Sequence, residues 1–139
     1  MEGKGYNNKN EIIYEIKNGK GIIKEYDYRG ELIYEGEFIN GKRNGKGKEY
    51  DVNGKLLFEG EYLNGKRNGK GKEYDVNGKL LFEGEYVDGK RKGKGKEYDN
   101  NGNLIYEGEY ADGQRYNENK CINQWIKILI MISLKYSMN

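Results

Sequence analysis

Several stretches of this chain carry residue types and spacings that do chemistry in other proteins. Gly-Lys-Gly-Lys recurs at 45–48, 69–72 and 93–96, and glycine-rich lysine loops can cradle phosphates. A phosphate loop of the Walker type follows its Gly-Lys with a Ser or Thr that holds magnesium. This chain has no Thr, and its only serines are Ser133 and Ser137. The repeated glycines therefore read as structural. Asp51-Val52-Asn53-Gly54 resembles the opening of a calcium loop but lacks the later Gly and the bidentate Glu at the required spacing, and reads as a turn. Carboxylates at i, i+2, such as Glu59 and Glu61, could do acid–base work, yet a salt-bridged strand needs the same residues beside its lysines. With no His and a single cysteine, Cys121, nucleophile-and-base arrangements have no parts. The chain reads as non-enzymatic, with no metal and no cofactor.

Two patterns remain that could bind a partner. Lys42-Arg43, Lys66-Arg67 and Lys90-Arg91 recur at equivalent places and would make a basic row able to contact an acidic lipid headgroup or an acidic protein patch. The competing reading is a solvated rim that discourages edge-to-edge association; the fourth place carries Gln114-Arg115, which weakens the row. The second pattern is aromatic: Tyr34/Phe38, Phe58/Tyr62, Phe82/Tyr86 and Tyr106/Tyr110. These rings could line a groove for a protein segment, or form the thin core of a sheet, or both.

The positioning of all these residues follows from one period. Residues 56–79, LLFEGEYLNGKRNGKGKEYDVNGK, have close copies at 32–55 and 80–103 and a half copy at 104–115. The 24-residue period is held by Gly36, Gly60, Gly84 and Gly108, and such a fixed period marks an array whose units lean on their neighbours. Residues 11–31 form a degenerate first unit with a turn two residues shorter, suited to capping; residues 1–10 are a polar segment outside the array. In each unit, Asn-Gly or Asp-Gly punctuates two short runs, the pattern of a β-hairpin. The expectation is an all-β fold: an elongated, single-layer antiparallel meander of repeated hairpins. Strands about 4.8 Å apart make this a curved ribbon about 40 Å long.

Alternation assigns the faces. Phe58, Gly60 and Tyr62 share one; Leu57, Glu59, Glu61 and Leu63 share the other. A two-residue turn would set Glu59 opposite Lys70, and a longer loop through Asn68 would set Glu61 opposite Lys72. Either gives a cross-strand charge ladder, each pair contributing about 0.2–1 kcal/mol.

The same residues carry a family resemblance. Tyr/Phe-Glu-Gly-Glu-Tyr/Phe-x-Asn/Asp-Gly-Lys-Arg-x-Gly-Lys-Gly, clearest at 34–47, 58–71 and 82–95 with a half match at 106–115, resembles the MORN repeat (membrane occupation and recognition nexus). The Asp-Val-Asn-Gly link resembles the variant in some bacterial proteins described as antitoxins. The resemblance implies a single-layer hairpin sheet used mainly for protein association and sometimes credited with binding acidic phospholipids.

The remaining composition sets bounds. A net charge of +2 is too small for a general nucleic-acid binder. The lone cysteine fits a reducing compartment, so a cytoplasmic or membrane-peripheral location is expected. The first residues show no signal-peptide pattern, and no run reaches the roughly 20 apolar residues of a membrane span. The non-repeat tail, 116–139, has three readings: a cap on the last hairpin, as helix or strand; a membrane or partner anchor; or a frame-shifted extension of the reading frame. The functional expectation is a non-enzymatic scaffold for an unidentified protein partner, a second copy of the chain included. Acidic-phospholipid binding through the basic tips is the alternative, and an antitoxin-like inhibitor is a third.

Overall fold

The computed structural model describes residues 2–7 and 9–137. Eleven strands follow one another in a single antiparallel sheet: β1 (Gly3–Tyr6), β2 (Ile12–Lys17), β3 (Lys20–Tyr26), β4 (Leu32–Ile39), β5 (Lys42–Tyr50), β6 (Leu56–Leu63), β7 (Lys66–Tyr74), β8 (Leu80–Val87), β9 (Lys90–Tyr98), β10 (Leu104–Ala111) and β11 (Gln114–Arg115). A helix, α1 (Glu118–Ser137), ends the chain. This is the expected single-layer meander of hairpins.

Two turns alternate along it. Within a unit, Asn64-Gly65 turns the chain with φ of +50° and +87°. Asn40-Gly41, Asp88-Gly89 and Asp112-Gly113 do the same, the backbone that a tight hairpin twist demands. Between units, the Asp51 carboxylate accepts hydrogen bonds from the amides of Asn53 (2.8 Å) and Lys55 (2.9 Å). Asp75 and Asp99 act identically. The aspartates are thus turn-formers, and among the described residues no acidic cluster suited to a metal occurs.

The register departs from both sequence expectations. Leu63 pairs with Lys66 and Tyr62 with Arg67, but Gly60 pairs with Gly71 and Glu59 with Lys72. Three residues, 68–70, therefore stand opposite Glu61 alone. Gly69, at φ +105°, makes this bulge possible, since an L side chain strains there. Glu59–Lys70 and Glu61–Lys72 are consequently not partners. Glu59 lies between Lys48 and Lys72, and Glu61 pairs back to Lys46 of the preceding strand. The first hairpin, β2–β3, has no bulge, which accounts for its two missing residues.

The stretch 1–10 is not a separate polar segment. Gly3-Lys4-Gly5-Tyr6 pairs with β2, and Asn7 replaces the turn aspartate, its side-chain oxygen accepting from the amides of Lys9 and Glu11. The strand β1 thus takes the place of a second-strand element ahead of β2.

At the other end the reason for stopping is steric. The third full unit has Gly95 where the sequence next has Asn119. A Cβ on Gly95 would lie 2.6 Å from the Phe82 ring, so a side chain cannot pass beneath the corresponding ring of Tyr106. Strand β11 ends at Arg115, which leaves Leu104 and Ile105 of β10 exposed. The tail is helical, and every described side chain from Ile122 to Tyr136 is exposed; α1 therefore does not cap the sheet. No helix is long and apolar enough to cross a membrane among the described residues.

Candidate interaction surface

The two faces of the sheet differ in what they leave accessible. On the aromatic face, Tyr34, Phe58 and Phe82 are fully buried, and Phe38, Tyr62, Tyr86 and Tyr110 nearly so; Tyr106, at the open end, is half-buried. Their rings meet edge to face in one unbroken zigzag, Phe38–Tyr34–Tyr62–Phe58–Tyr86–Phe82–Tyr110–Tyr106, with centroids 5.1–5.8 Å apart. Such contacts add about 0.5–1.5 kcal/mol each beyond area burial. Beneath the first ring of each pair lies glycine backbone: a Cβ on Gly71 would sit 2.5 Å from the Phe58 ring tip.

Above the first ring of each pair lies an arginine. The guanidinium of Arg43 sits 4.0 Å from the Tyr34 centroid, Arg67 3.9 Å from Phe58, Arg91 4.1 Å from Phe82 and Arg115 4.6 Å from Tyr106. Each arginine is also held by a glutamate from the unit before. Arg67 donates from Nη2 and Nε to the two oxygens of Glu49 (2.6 and 3.2 Å), and the Tyr62 hydroxyl donates to Glu49 Oε1 (2.6 Å). Arg91 and Tyr86 repeat this on Glu73; Arg43 binds Glu25, and Arg115 binds Glu97. Burial opposes ionisation of Glu49, but the Arg67 and Tyr62 hydrogen bonds overcome it and hold its carboxyl below the usual range. For Tyr62 and Tyr86, burial and then the carboxylate bond push the phenol well above its ordinary value.

The predicted basic row is thereby divided. Lys42, Lys66 and Lys90 stand exposed at the hairpin tips, Lys66 and Lys90 each 3.7 Å from Asp88 and Asp112 of the neighbouring tip. Arg43, Arg67 and Arg91 instead fold inward as lids on the aromatic rows. The rings proposed for partner contact and the arginines proposed for acidic partners are thus brought together, against each other.

The opposite face is open. Over the glycine row Gly36–Gly47–Gly60–Gly71–Gly84–Gly95–Gly108 runs a groove of about 1020 Å³, reaching from Ile22 on β3 to β10. One wall follows the ladder Glu35–Lys48–Glu59–Lys72–Glu83–Lys96–Glu107, and the other carries Lys46, Glu61, Lys70, Glu85, Lys94 and Glu109. Tyr50, Tyr74 and Tyr98 donate 2.7 Å hydrogen bonds to Glu35, Glu59 and Glu83 respectively, fixing those carboxylates. Burial, followed by the carboxylate bond, pushes Tyr50 and Tyr74 up to about 12. Lys48 and Lys72 are exposed and make no ion pair within 4 Å among the described residues, so their ammonium groups are available to a partner. Sequence reasoning read these alternating charges only as a register device. Their recurrence at i, i+2 on one face was the available signal for a lined channel.

The repeat geometry now meets the comparison that decides the family: the MORN repeat model matches residues 34–55, 58–79, 82–104 and 106–115, more than half of the chain. The chain belongs to the MORN-repeat family. MORN repeats are commonly involved in protein or membrane interactions, and the family is generally non-enzymatic. No curated protein matches this MORN chain. Among solved structures, a crystal structure of TarM shares 13% identity at a TM-score of 0.35, covering 58% of this chain and 17% of that one. A glycine-to-arginine mutant of S. aureus TarM, in complex with fondaparinux, alpha-GlcNAc-glycerol and UDP, shares 14% at a TM-score of 0.37, covering 64% and 18%. The chain thus spans less than a fifth of those structures, and likeness at that level carries no argument.

Proposed function

We propose that this MORN array is a non-catalytic association module that takes a protein partner along the charged groove. The observation that supports this is the contrast between the faces: one is closed by arginines over buried rings, the other presents a continuous channel with unpaired lysines between pinned glutamates. A segment carrying both charge signs, laid across the strands, would exchange its ion pairs for those left open on the walls. The closed face suits a core, because removing the arginine lids would expose the rings and leave glutamates half-buried without partners.

The test is affinity capture with the whole chain and with Lys48→Glu/Lys72→Glu. Loss of a stoichiometric protein partner in the reversed variant, with the sheet signal in circular dichroism unchanged, supports the groove. Retention of that partner by the groove variant, together with its loss in Lys42→Ala/Lys66→Ala/Lys90→Ala, would move the contact to the hairpin tips.

A further inference from the structure

The helix α1 is twenty residues long and carries an apolar surface left exposed among the described residues. Ile122, Trp125, Ile126, Leu129, Ile132 and Tyr136 are all exposed, Trp125 at 67% and Leu129 at 61%. At about 100° per residue, these six together with Ile128 and Ile130 span an arc of about 200°, interrupted from Ile122 onward by Ser133 and the terminal Ser137. The remaining arc carries Asn123, Gln124, Lys127 and Lys135 together with the apolar Met131 and Leu134.

The width of that arc selects its occupant. A helix pairing with a second copy buries a narrow seam, about two positions in seven, and would leave apolar residues open on both flanks of the seam. A bilayer interface instead covers half of a helical cylinder at once, the arrangement taken by helices that lie in the membrane plane. Charge agrees with this choice. From Ile122 to Ser137 the only ionic side chains are Lys127 and Lys135, both positive and both off the apolar arc. A bilayer with anionic headgroups complements them. Trp125 and Tyr136, eleven residues apart along the helix and both within the arc, each join an apolar body to a polar tip, the kind of side chain that favours a membrane interface.

We propose that α1 is an in-plane anchor that lies, apolar arc inward, in the interface of an anionic lipid bilayer and leaves the charged groove of the sheet in water. This is independent of the groove's own partner. The helix stops short of spanning, so attachment is reversible and weakened by salt.

Trp125 is the only tryptophan in the chain, so its fluorescence reports on α1 alone. The full-length protein is mixed with vesicles of phosphatidylcholine, or of phosphatidylcholine with one-third phosphatidylserine, and assayed by flotation and by emission wavelength. The expected result is co-flotation and a blue shift with the anionic vesicles at low salt. Leu129→Glu should reduce binding by about tenfold or more, and Lys127→Ala or Lys135→Ala by about fivefold each, all with the strand signal in circular dichroism intact. Three outcomes overturn the proposal. Wild-type protein that neither floats nor shifts does so directly. Flotation that survives Leu129→Glu but is lost in Lys42→Ala/Lys66→Ala/Lys90→Ala assigns the lipid contact to the hairpin tips. A Trp125 emission already blue-shifted without lipid, in an oligomer that Leu129→Glu dissociates, assigns the apolar arc to a second copy. Groove capture by the Leu129→Glu variant should match wild type, which separates this test from that of the groove.

Discussion

Replacing Tyr34 by Phe should stabilise the protein. Tyr34 occupies the ring position held by Phe58 and Phe82 in the next two units, and all three side chains are fully buried. Its hydroxyl alone is extra, and it finds no hydrogen-bond partner. The oxygen lies against glycine backbone: a Cβ on Gly47 would sit 2.1 Å from it and one on Gly36 2.4 Å. Burial pushes this phenol up to about 12, the mark of an isolated, desolvated group. A buried hydroxyl without a partner costs about 1–3 kcal/mol. Removing it forfeits a few dispersion contacts worth a fraction of that. The ring contacts remain, at 5.8 Å to Phe38, 5.3 Å to Tyr62 and 4.0 Å to Arg43. The net expectation is a gain of about 1 kcal/mol, or a rise of about 4 °C in Tm. Tyr62→Phe is the built-in contrast, because it removes a donor to the Glu49 carboxylate and should cost about 1.5–3 kcal/mol. Phe58→Tyr should also destabilise, by reproducing the orphaned hydroxyl. Urea unfolding read by circular dichroism, with an unchanged slope, measures all three. The reasoning fails if Tyr34→Phe and Tyr62→Phe shift stability in the same direction.

Arg67→Ala should cost about 2–4 kcal/mol in urea melts, since it strips the lid from Phe58 and leaves Glu49 half-buried; Arg67→Lys should recover little of this, because an ammonium cannot make the paired bonds of a planar fork. Gly71→Ala should destabilise by about 2–3 kcal/mol through overpacking against the Phe58 ring, whereas Gly65→Ala, at positive φ but facing open space, should cost only about 1 kcal/mol. Thermal melts of the two variants read that ordering. Acid should weaken the fold through Glu49 and Glu73, whose folded-state carboxyls are held below 4.5. Their contribution is present above that pH and lost as pH falls through the folded value, so the urea midpoint should drop below about pH 4.5, and Glu49→Gln/Glu73→Gln should flatten that drop. At the alkaline end burial pushes Tyr34, Tyr50 and Tyr74 up to about 12; near-ultraviolet titration should show phenols resisting ionisation until the sheet opens.

The period, the hairpins and the division into an aromatic and a charged face were legible because each rests on local chemistry: Asn-Gly turns, Gly spacing and alternation. The register was not, because it turns on the bulge at Gly69, and a glycine in sequence does not announce its φ. The arginine lids were hidden for a different reason. Arg67 stands opposite Tyr62 but stacks on Phe58, nine residues away, a diagonal contact that strand pairing alone does not specify. Reading Lys66-Arg67 as one basic unit treated charge as surface, whereas the flat guanidinium stacks and the ammonium does not. Strand β1 escaped notice because it shares only Gly-Lys-Gly and a tyrosine with the second strands it imitates. The alternation of Ile126, Ile128, Ile130 and Ile132 left the tail open between helix and strand, and a 200° apolar arc emerges only at helical spacing.

The glutamate–arginine clasp joins residues eighteen apart, from Glu25 to Arg43, Glu49 to Arg67, Glu73 to Arg91 and Glu97 to Arg115. No clasp reaches past the adjoining unit, so copy number is a dimension the architecture leaves adjustable. Inserting another 56–79 would duplicate one clasp, one pair of rings and two rungs of charge while disturbing none already present. The channel would lengthen by about 10 Å. Such a molecule is a ruler graduated in 24-residue steps, and the reach of whatever lies along it can be set by recombination rather than by redesign.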